Sequence, residues 1–387
     1  MEFLEQSFNV HFDYRVYFTS NIFDAFNKDF NSFLKERSQP ATVQKILFVI
    51  DEGVLKMHPE LSHQIRSYFN NDLSVSLVKD FMIIPGGEEA KNNSRYFDLI
   101  IEAIDKNGID RHSYVTAIGG GSVLDLAGYA SAVAHRGIKH IRIPTTVLSQ
   151  NDSGVGVKNG INYKGKKNFI GTFAPPVAVF NDDLFLATLS ERDWRAGIAE
   201  AIKVGLIKDA GFYHWIEENA DQLIDRDRGT MNNLIRRCAA LHLQHIASGD
   251  PFELGSSRPL DFGHWSAHKL EQLSGFKILH GEAVALGIVL DTFYSALSGL
   301  LPMQKAERII QLFIKLGFEI TNPLLDIRDE SSEILKGLQE FREHLGGRLT
   351  VMLLSDIGVG EEVHDLDIAL LKQASQKLDE YQYEMSK

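Results

Sequence analysis

A chain of 387 residues, 44% hydrophobic and 24% charged, is long for a single core and gives room for two domains. Its net charge of -12 argues against a general binder of nucleic acid or anionic membranes. The lone cysteine, Cys238, excludes an internal disulfide and a thiolate-rich metal site, and fits a reducing compartment.

The N-terminus, Met1-Glu2-Phe3-Leu4-Glu5, carries acid where a signal peptide would carry base, so a cytoplasmic protein is expected. Phe8, Val10, Phe12, Tyr14, Val16 and Phe18 alternate with more polar residues, which predicts a half-buried strand. Short β-rich runs follow at 45–51, 81–84, 114–118, 140–143 and 177–180, with helical stretches between them at Ser94–Lys106 and Val123–Ala134. Such alternation predicts a largely parallel sheet in a Rossmann-like α/β layer. After about residue 185 segments of 3.6-residue period dominate until the β-rich run 349–354. The expected division is an α/β domain over 1–186 and a mainly helical domain over 187–387. The longest apolar run, Ala283 to Leu297, is broken by Asp291 and is too short to span a bilayer.

Ile118-Gly119-Gly120-Gly121-Ser122 follows a predicted strand and opens a helix. Glycines there let a ligand approach the backbone, and the helix start offers free N–H groups to a phosphate. It is not the dinucleotide fingerprint, and tight packing alone would also explain it. Pro85-Gly86-Gly87-Glu88 is a second loop after a strand, and Asp51 ends an earlier one in the manner of a ribose-binding acid. Together these strand ends suggest a nucleotide laid across the carboxyl edge of the sheet. From Arg136 to Lys167 seven bases (Arg136, Lys139, Arg142, Lys158, Lys164, Lys166, Lys167) face one acid, Asp152. That excess suggests a small anion such as a phosphate ester. Lys139, Lys164 and Lys166 read more plainly as solvated surface, whereas Lys158 ends the small-residue segment 152–158.

In the helical half, His264 and His268 stand four apart and share one helix face. His280 opens the next helix after a break at Ser274-Gly275, and Glu200 lies on a third with Lys203 one turn on. Two imidazoles and a carboxylate from separate helices make the ligand set of a catalytic zinc, with a spare His and Lys beside it. Any one of fourteen histidines is more often a core or surface residue, and four-residue spacing also arises by chance.

In order and spacing, Pro85-Gly-Gly-Glu-x-x-Lys91, Gly119-Gly-Gly-Ser-x-x-Asp125, Arg136-Gly137, Ile143-Pro-Thr-Thr146, Asp152 to Lys158, Lys167-Asn168, Glu200-x-x-Lys203, Gly263-His-x-x-x-His268 and His280-Gly-Glu-Ala-Val284 resemble dehydroquinate synthase and its relatives, the sugar-phosphate cyclases. The likeness runs from about residue 45 to 355. Within the family it is nearest to the dehydroquinate-synthase-like proteins of ebo gene clusters. The resemblance implies an N-terminal NAD-binding α/β domain, a helical metal domain and a homodimer. It implies Glu200, His264 and His280 as zinc (or cobalt) ligands, His268 as acid/base group and Lys203 as an active-site lysine. Lys158, Asn168 and Arg136 are implied to hold phosphate, Arg136 from the partner subunit. Asp51, Glu88, Lys91, Gly119, Gly120, Gly121, Ser122, Asp125, Thr145, Thr146, Asp152 and Lys167 are implied at NAD. The implied reaction is oxidation, phosphate β-elimination, reduction and intramolecular aldol closure of a sugar phosphate, with NAD regenerated at each turnover.

The family's carboxylate-binding Lys and Arg fall at Leu243 and Ser257, with Arg258 one residue on, and its Asn before the metal His is Asp261. Losing cations and gaining a carboxylate disfavours a substrate carboxylate. A seven-carbon ketose phosphate such as sedoheptulose 7-phosphate, giving a valiolone-type product, is therefore expected. Arg342, in Phe341-Arg342-Glu343-His344, stands where the family has a lysine pair and is a candidate replacement cation for phosphate. The alternatives are 3-dehydroquinate synthase itself, a glycerol-type polyol dehydrogenase, and a non-catalytic nucleotide-binding scaffold.

Overall fold

A computed structural model of the chain describes residues 1–38, 42–70, 75–248, 250–252, 259–327, 331–344 and 347–385. Strands β1 (Arg15–Thr19), β2 (Gln44–Asp51), β3 (Val75–Leu77), β4 (Met82–Ile84), β5 (Tyr114–Gly119) and β6 (Lys139–Pro144) precede a hairpin of β7 (Lys158–Tyr163) and β8 (Lys166–Phe173). Strand β9 (Ala178–Asp182) then returns to the sheet, and β10 (Val351–Asp356) and β11 (Val359–Val363) form a second hairpin near the C-terminus. The sheet is parallel in the order β1-β9-β6-β5-β2-β3, with β4 also pairing β2. β2, β5 and β9 are buried along almost their whole length because helices cover both faces. One core lies on each face, Phe30, Phe48 and Phe180 on one side and Leu47, Val115 and Leu124 on the other.

The five internal β-rich runs become β2, β4, β5, β6 and β9. The first strand is shorter than its alternation suggests. β1 begins at Arg15, because its partner β9 starts at Ala178, opposite Arg15, and offers nothing to pair with earlier residues. Phe8, Val10 and Phe12 are exposed instead. Parallel strands in this sheet carry their carboxyl ends to one edge, so Asp51, Gly119 and Pro144 come together there.

Beyond β9 the chain turns helical, and its core is separate from those of the sheet. The helix Glu191–Lys208 packs against His280–Leu297, which is buried at fourteen of its positions and lies at the centre of the helical half. Helices His264–Leu273, Met303–Lys315 and Ile368–Met385 surround it, and Arg228–Ala247 packs on Glu191–Lys208. Among the described residues, no helix is long and apolar enough to cross a membrane.

Candidate active site

Three helices of the helical half meet by backbone contact. A Cβ on Gly281 would stand 2.0 Å from the carbonyl oxygen of Ala196, so the start of the His280 helix lies directly on the Glu200 helix. A Cβ on Gly287 would stand 2.0 Å from the carbonyl oxygen of Gly263, where the backbone is left-handed at φ +76. This contact seats the turn before His264 on the same central helix. Only glycine permits either approach, and each glycine lies one to seven residues from a metal-ligand candidate.

The result brings Glu200, His264 and His280 together. His264 Nε2 and His280 Nε2 stand 3.6 and 3.5 Å from Glu200 Oε1, and one donor atom from each residue lies within 4.8 Å of the others. Each imidazole has its outer nitrogen engaged. His264 Nδ1 donates to the Phe262 carbonyl at 3.0 Å, and His280 Nδ1 donates to Glu271 Oε2 at 3.0 Å. Both Nε2 atoms are thereby turned inward, toward Glu200, the orientation a metal ligand needs. Glu200 Oε1 is buried and makes no conventional hydrogen bond. A carboxylate oxygen and two imidazole nitrogens converging on one point fit a divalent ion of the zinc type. Burial works to raise the Glu200 carboxyl, but Lys203 and His280 bring it down to about 2. Burial and Lys167 push His280 down, yet Glu271 and Glu200 carry it up to about 9. The imidazolium thus balances two carboxylates, and a divalent ion would displace its proton.

His268 completes a triangle of rings, 5.4 Å from His264 and 5.9 Å from His280 between centroids. It keeps a solvent-exposed edge while protein encloses the rest, and desolvation with Lys167 and His264 beside it holds it well below the ordinary imidazole value. Lys203 is buried with its Nζ 2.5 Å from Glu200 Oε2, and Asp152 and Asp261 also act on it. Burial opposes its charge, but those three carboxylates leave its pKa raised. Asp152 is in turn 2.9 Å from His242 Nδ1, and His242 and Lys203 hold the carboxyl low against burial and Glu200.

The spacing of single motifs missed Glu271. It follows His264 by seven positions and His268 by three, so it shares their helix face, a signal present in the sequence. It receives Lys167 Nζ at 2.5 Å, and Lys167 also stands 4.0 Å from Glu88. The β7–β8 hairpin therefore joins the metal side to the sheet edge through one ammonium.

At that edge most of the expected nucleotide residues are already engaged with one another. Asp51 Oδ1 accepts from Gly53 N at 2.7 Å, capping the next helix. Lys91 is buried, donating to Asp125 Oδ2 at 2.8 Å and to Asn168 Oδ1. Glu88 accepts from Ser122 Oγ at 3.3 Å and from Asn162 Nδ2 at 2.7 Å. Thr145 N donates to the Gly119 carbonyl at 3.0 Å, and Thr146 forms a turn with Ser149. The open features are the Gly119–Gly121 backbone and the start of the helix Gly121–Val133.

Four cations of the basic stretch and its C-terminal counterpart separate clearly. Lys158 is exposed on β7. Arg142 is wholly buried, and its guanidinium donates to the carbonyls of Gly154, Gly156 and Lys158 and to Asn159 Oδ1, so it shapes the 153–159 loop and is not an anion site. Arg136 is exposed beyond the far end of the helix Gly121–Val133, about 20 Å from the glycine turn. Arg342 Nε donates to the Gly347 carbonyl at 2.7 Å, and the side chain lines an open cavity of about 610 Å³ with Arg348, His364 and Asp365. None of the metal-centre residues borders that cavity. Arg258 and Ser257 lie outside the described residues.

Models of the N-terminal and C-terminal parts of 3-dehydroquinate synthase match residues 81–196 and 197–338. A 3-dehydroquinate synthase from Nitrosospira multiformis is 38% identical over 307 residues, 79% of this chain and 82% of that protein. The solved 2-epi-5-epi-valiolone synthase of Streptomyces hygroscopicus, with NAD+ and Zn2+ bound, is similar at TM-score 0.87 and 27% identity, over 98% of this chain and 100% of that one. A 2-deoxy-scyllo-inosose synthase, at TM-score 0.76, 23% identity and coverage of 94% and 96%, shares the fold.

Proposed function

The chain belongs to the 3-dehydroquinate synthase family, and from that membership we propose that it is an NAD- and zinc-dependent sugar-phosphate cyclase, a phosphate-eliminating lyase. The observation that carries this is the convergence of Glu200, His264 and His280 beside Lys203 and His268. The cofactors rest on the same reading, and the valiolone synthase of similar structure holds both groups. Bound here, zinc would supply Lewis acidity at a substrate oxygen and NAD a reversible hydride acceptor.

What the chain itself does follows from its side chains. His268, neutral near pH 7 and open to solvent on one edge, can take a proton from a substrate carbon or oxygen and return it. Lys203 is a fixed ammonium that steadies negative charge on a substrate oxygen, held in place by Glu200 and Asp152. Lys158 and Asn168 on the hairpin are assigned to the phosphate. Arg136, too far from its own glycine turn, joins them from the partner subunit of a homodimer. A cytoplasmic location belongs to the same proposal, in keeping with one buried free cysteine.

The substrate assigned is a seven-carbon ketose phosphate, sedoheptulose 7-phosphate or a close relative. Glu200, Asp152 and Asp261 surround the buried ammonium of Lys203, and His242 is already paired with Asp152. A substrate carboxylate would meet like charge there and find no unmatched cation among the described residues of that cluster. A second reading, 3-dehydroquinate synthase acting on the keto-acid phosphate, is favoured by the 38% identity to an enzyme of that name. Phosphate release with each pure sugar phosphate, in the presence of NAD and zinc, decides between them. Turnover of the ketose phosphate is expected; turnover of the keto-acid phosphate alone overturns the substrate assignment and leaves the cyclase standing. Absence of phosphate release with both, alongside net NADH from a polyol, overturns the cyclase.

A further inference from the structure

We propose that Asp291 is a positioning residue of the metal centre, which fixes the start of the His264 helix from the helix that carries His280. The inference rests on Glu200, His264 and His280 being the ligands. Asp291 is wholly buried and lies about three turns beyond His280 on the same helix. Its Oδ2 accepts from the backbone N–H of Gly263 at 3.1 Å, and its Oδ1 accepts from the indole Nε1 of Trp265 at 2.9 Å. Those donors sit on either side of His264 in the chain.

The arrangement is unusual for a buried acid. The groups that act on the carboxylate are two neutral N–H donors; burial dominates them and carries its pKa up to about 7. A carboxylate without a cation in an apolar core is a standing penalty, and an apolar side chain would pack there more favourably. Its geometry gives it a task. Gly263 is left-handed, and no side chain caps the helix that it opens. A Cβ on Gly263 would stand 2.7 Å from Ile288 N, so this turn touches the central helix backbone to backbone. Asp291 lies four residues beyond Gly287, on the same face, and adds two hydrogen bonds across that contact. It holds the turn that opens the His264 helix from another element and sets its rotation relative to His280. A metal site tolerates misplacement of only about 0.5 Å in a ligand, so such a brace governs affinity.

The test uses the full chain with Asp291→Asn and Trp265→Phe, each checked for folding by near-ultraviolet circular dichroism. Zinc affinity is read by competition with a chromophoric chelator, ligand geometry by the d–d spectrum of the cobalt-loaded protein, and NAD affinity by fluorescence. Asp291→Asn sets an NH2 against one donor and is expected to weaken zinc about 10- to 100-fold and shift the cobalt bands. Trp265→Phe keeps the Gly263 bond and should weaken zinc by a smaller factor, about fivefold. NAD affinity should stay unchanged in both. Zinc affinity within about twofold of the unaltered protein, with an unchanged cobalt spectrum, in either folded variant overturns the proposal. Should Asp291→Asn fail to fold, Trp265→Phe decides. If the unaltered chain takes up no stoichiometric zinc, the ligand assignment itself fails, and the brace with it.

Discussion

The sheet edge and the three-helix junction are built to bind by opposite means. At the edge, the polar side chains are already satisfied by one another, as with Lys91 between Asp125 and Asn168. What is left open is backbone: glycines without side chains and the first N–H groups of a helix. At the junction the backbone is closed, helix on helix through Gly281 and Gly287, and the open groups are buried charged side chains. A binding surface made of missing side chains tolerates changes of charge nearby but not added volume. One made of balanced buried charges is sensitive to any single charge. Lys167, reaching Glu271 and Glu88, is the point at which the two are tied together.

The largest effect should come from Glu200→Gln. It removes the anionic ligand and leaves Lys203, whose Nζ is 2.5 Å away and buried, without its nearest partner. Breaking a buried pair on one side costs about 3–5 kcal/mol, and Asp152 near Lys203 places the expected loss toward the lower figure. Zinc uptake should fall to background in elemental analysis, phosphate release should vanish, and NAD affinity by fluorescence should persist. Loss of NAD binding together with the metal would break the comparison, since it would make the two regions a single cooperative unit.

Gly119→Ala should show the reverse pattern with a smaller magnitude. A Cβ at Gly119 would stand 2.8 Å from the Val123 Cβ and 3.1 Å from that of Asp51, at the point where strand passes into helix. Overpacking of this kind costs about 1–3 kcal/mol, because backbone or side chains must shift. NAD affinity is expected to drop about tenfold, by the same shift of the glycine turn. Zinc stoichiometry should be unchanged. A variant that binds NAD normally would remove the glycine turn from the cofactor site.

The two regions also differ in how far the sequence disclosed them. Strands β2, β5, β6 and β9 were visible as apolar runs because each is buried and locally uniform, and β4 as a short apolar run of its own. The hairpin β7–β8 was not, since the buried positions of β7 are Asn159, Gly160 and Asn162 and β8 is largely exposed, so neither strand carries an apolar run. The arm at 8–14 showed strand-like alternation, but pairing depends on a neighbour, and β9 is too short to provide one. In the helical half, His264, His268 and His280 stood out through spacing, and Glu200 through its lysine one turn on. Glu271 shared their face but was obscured by ordinary helical charge. Asp291 was seen only as the residue interrupting an apolar run; its partners Gly263 and Trp265 are more than twenty residues distant in sequence, which no local pattern reveals. Arg142 shows the limit of counting charges. A cation in a basic stretch can be committed to carbonyl and side-chain oxygens of the chain itself.

That last point yields the smallest expected effect. Arg342 follows Phe341, a core residue, on the short helix Lys336–His344, which packs against the His264 helix on the side of Lys269 and not of His268. Lys269 is five positions from His264, so the face it marks is turned well away from the ligands. The guanidinium accordingly meets the Gly347 carbonyl and solvent. Arg342→Ala should change stability by no more than about 0.5 kcal/mol, as exposed substitutions do, and should move KM for the sugar phosphate by less than about twofold. A tenfold rise in KM with kcat unchanged would instead place Arg342 on the substrate phosphate in the closed enzyme. The helix Lys336–His344 would then have to swing toward the hairpin on binding, and the metal side would gain a moving wall that the sheet edge lacks.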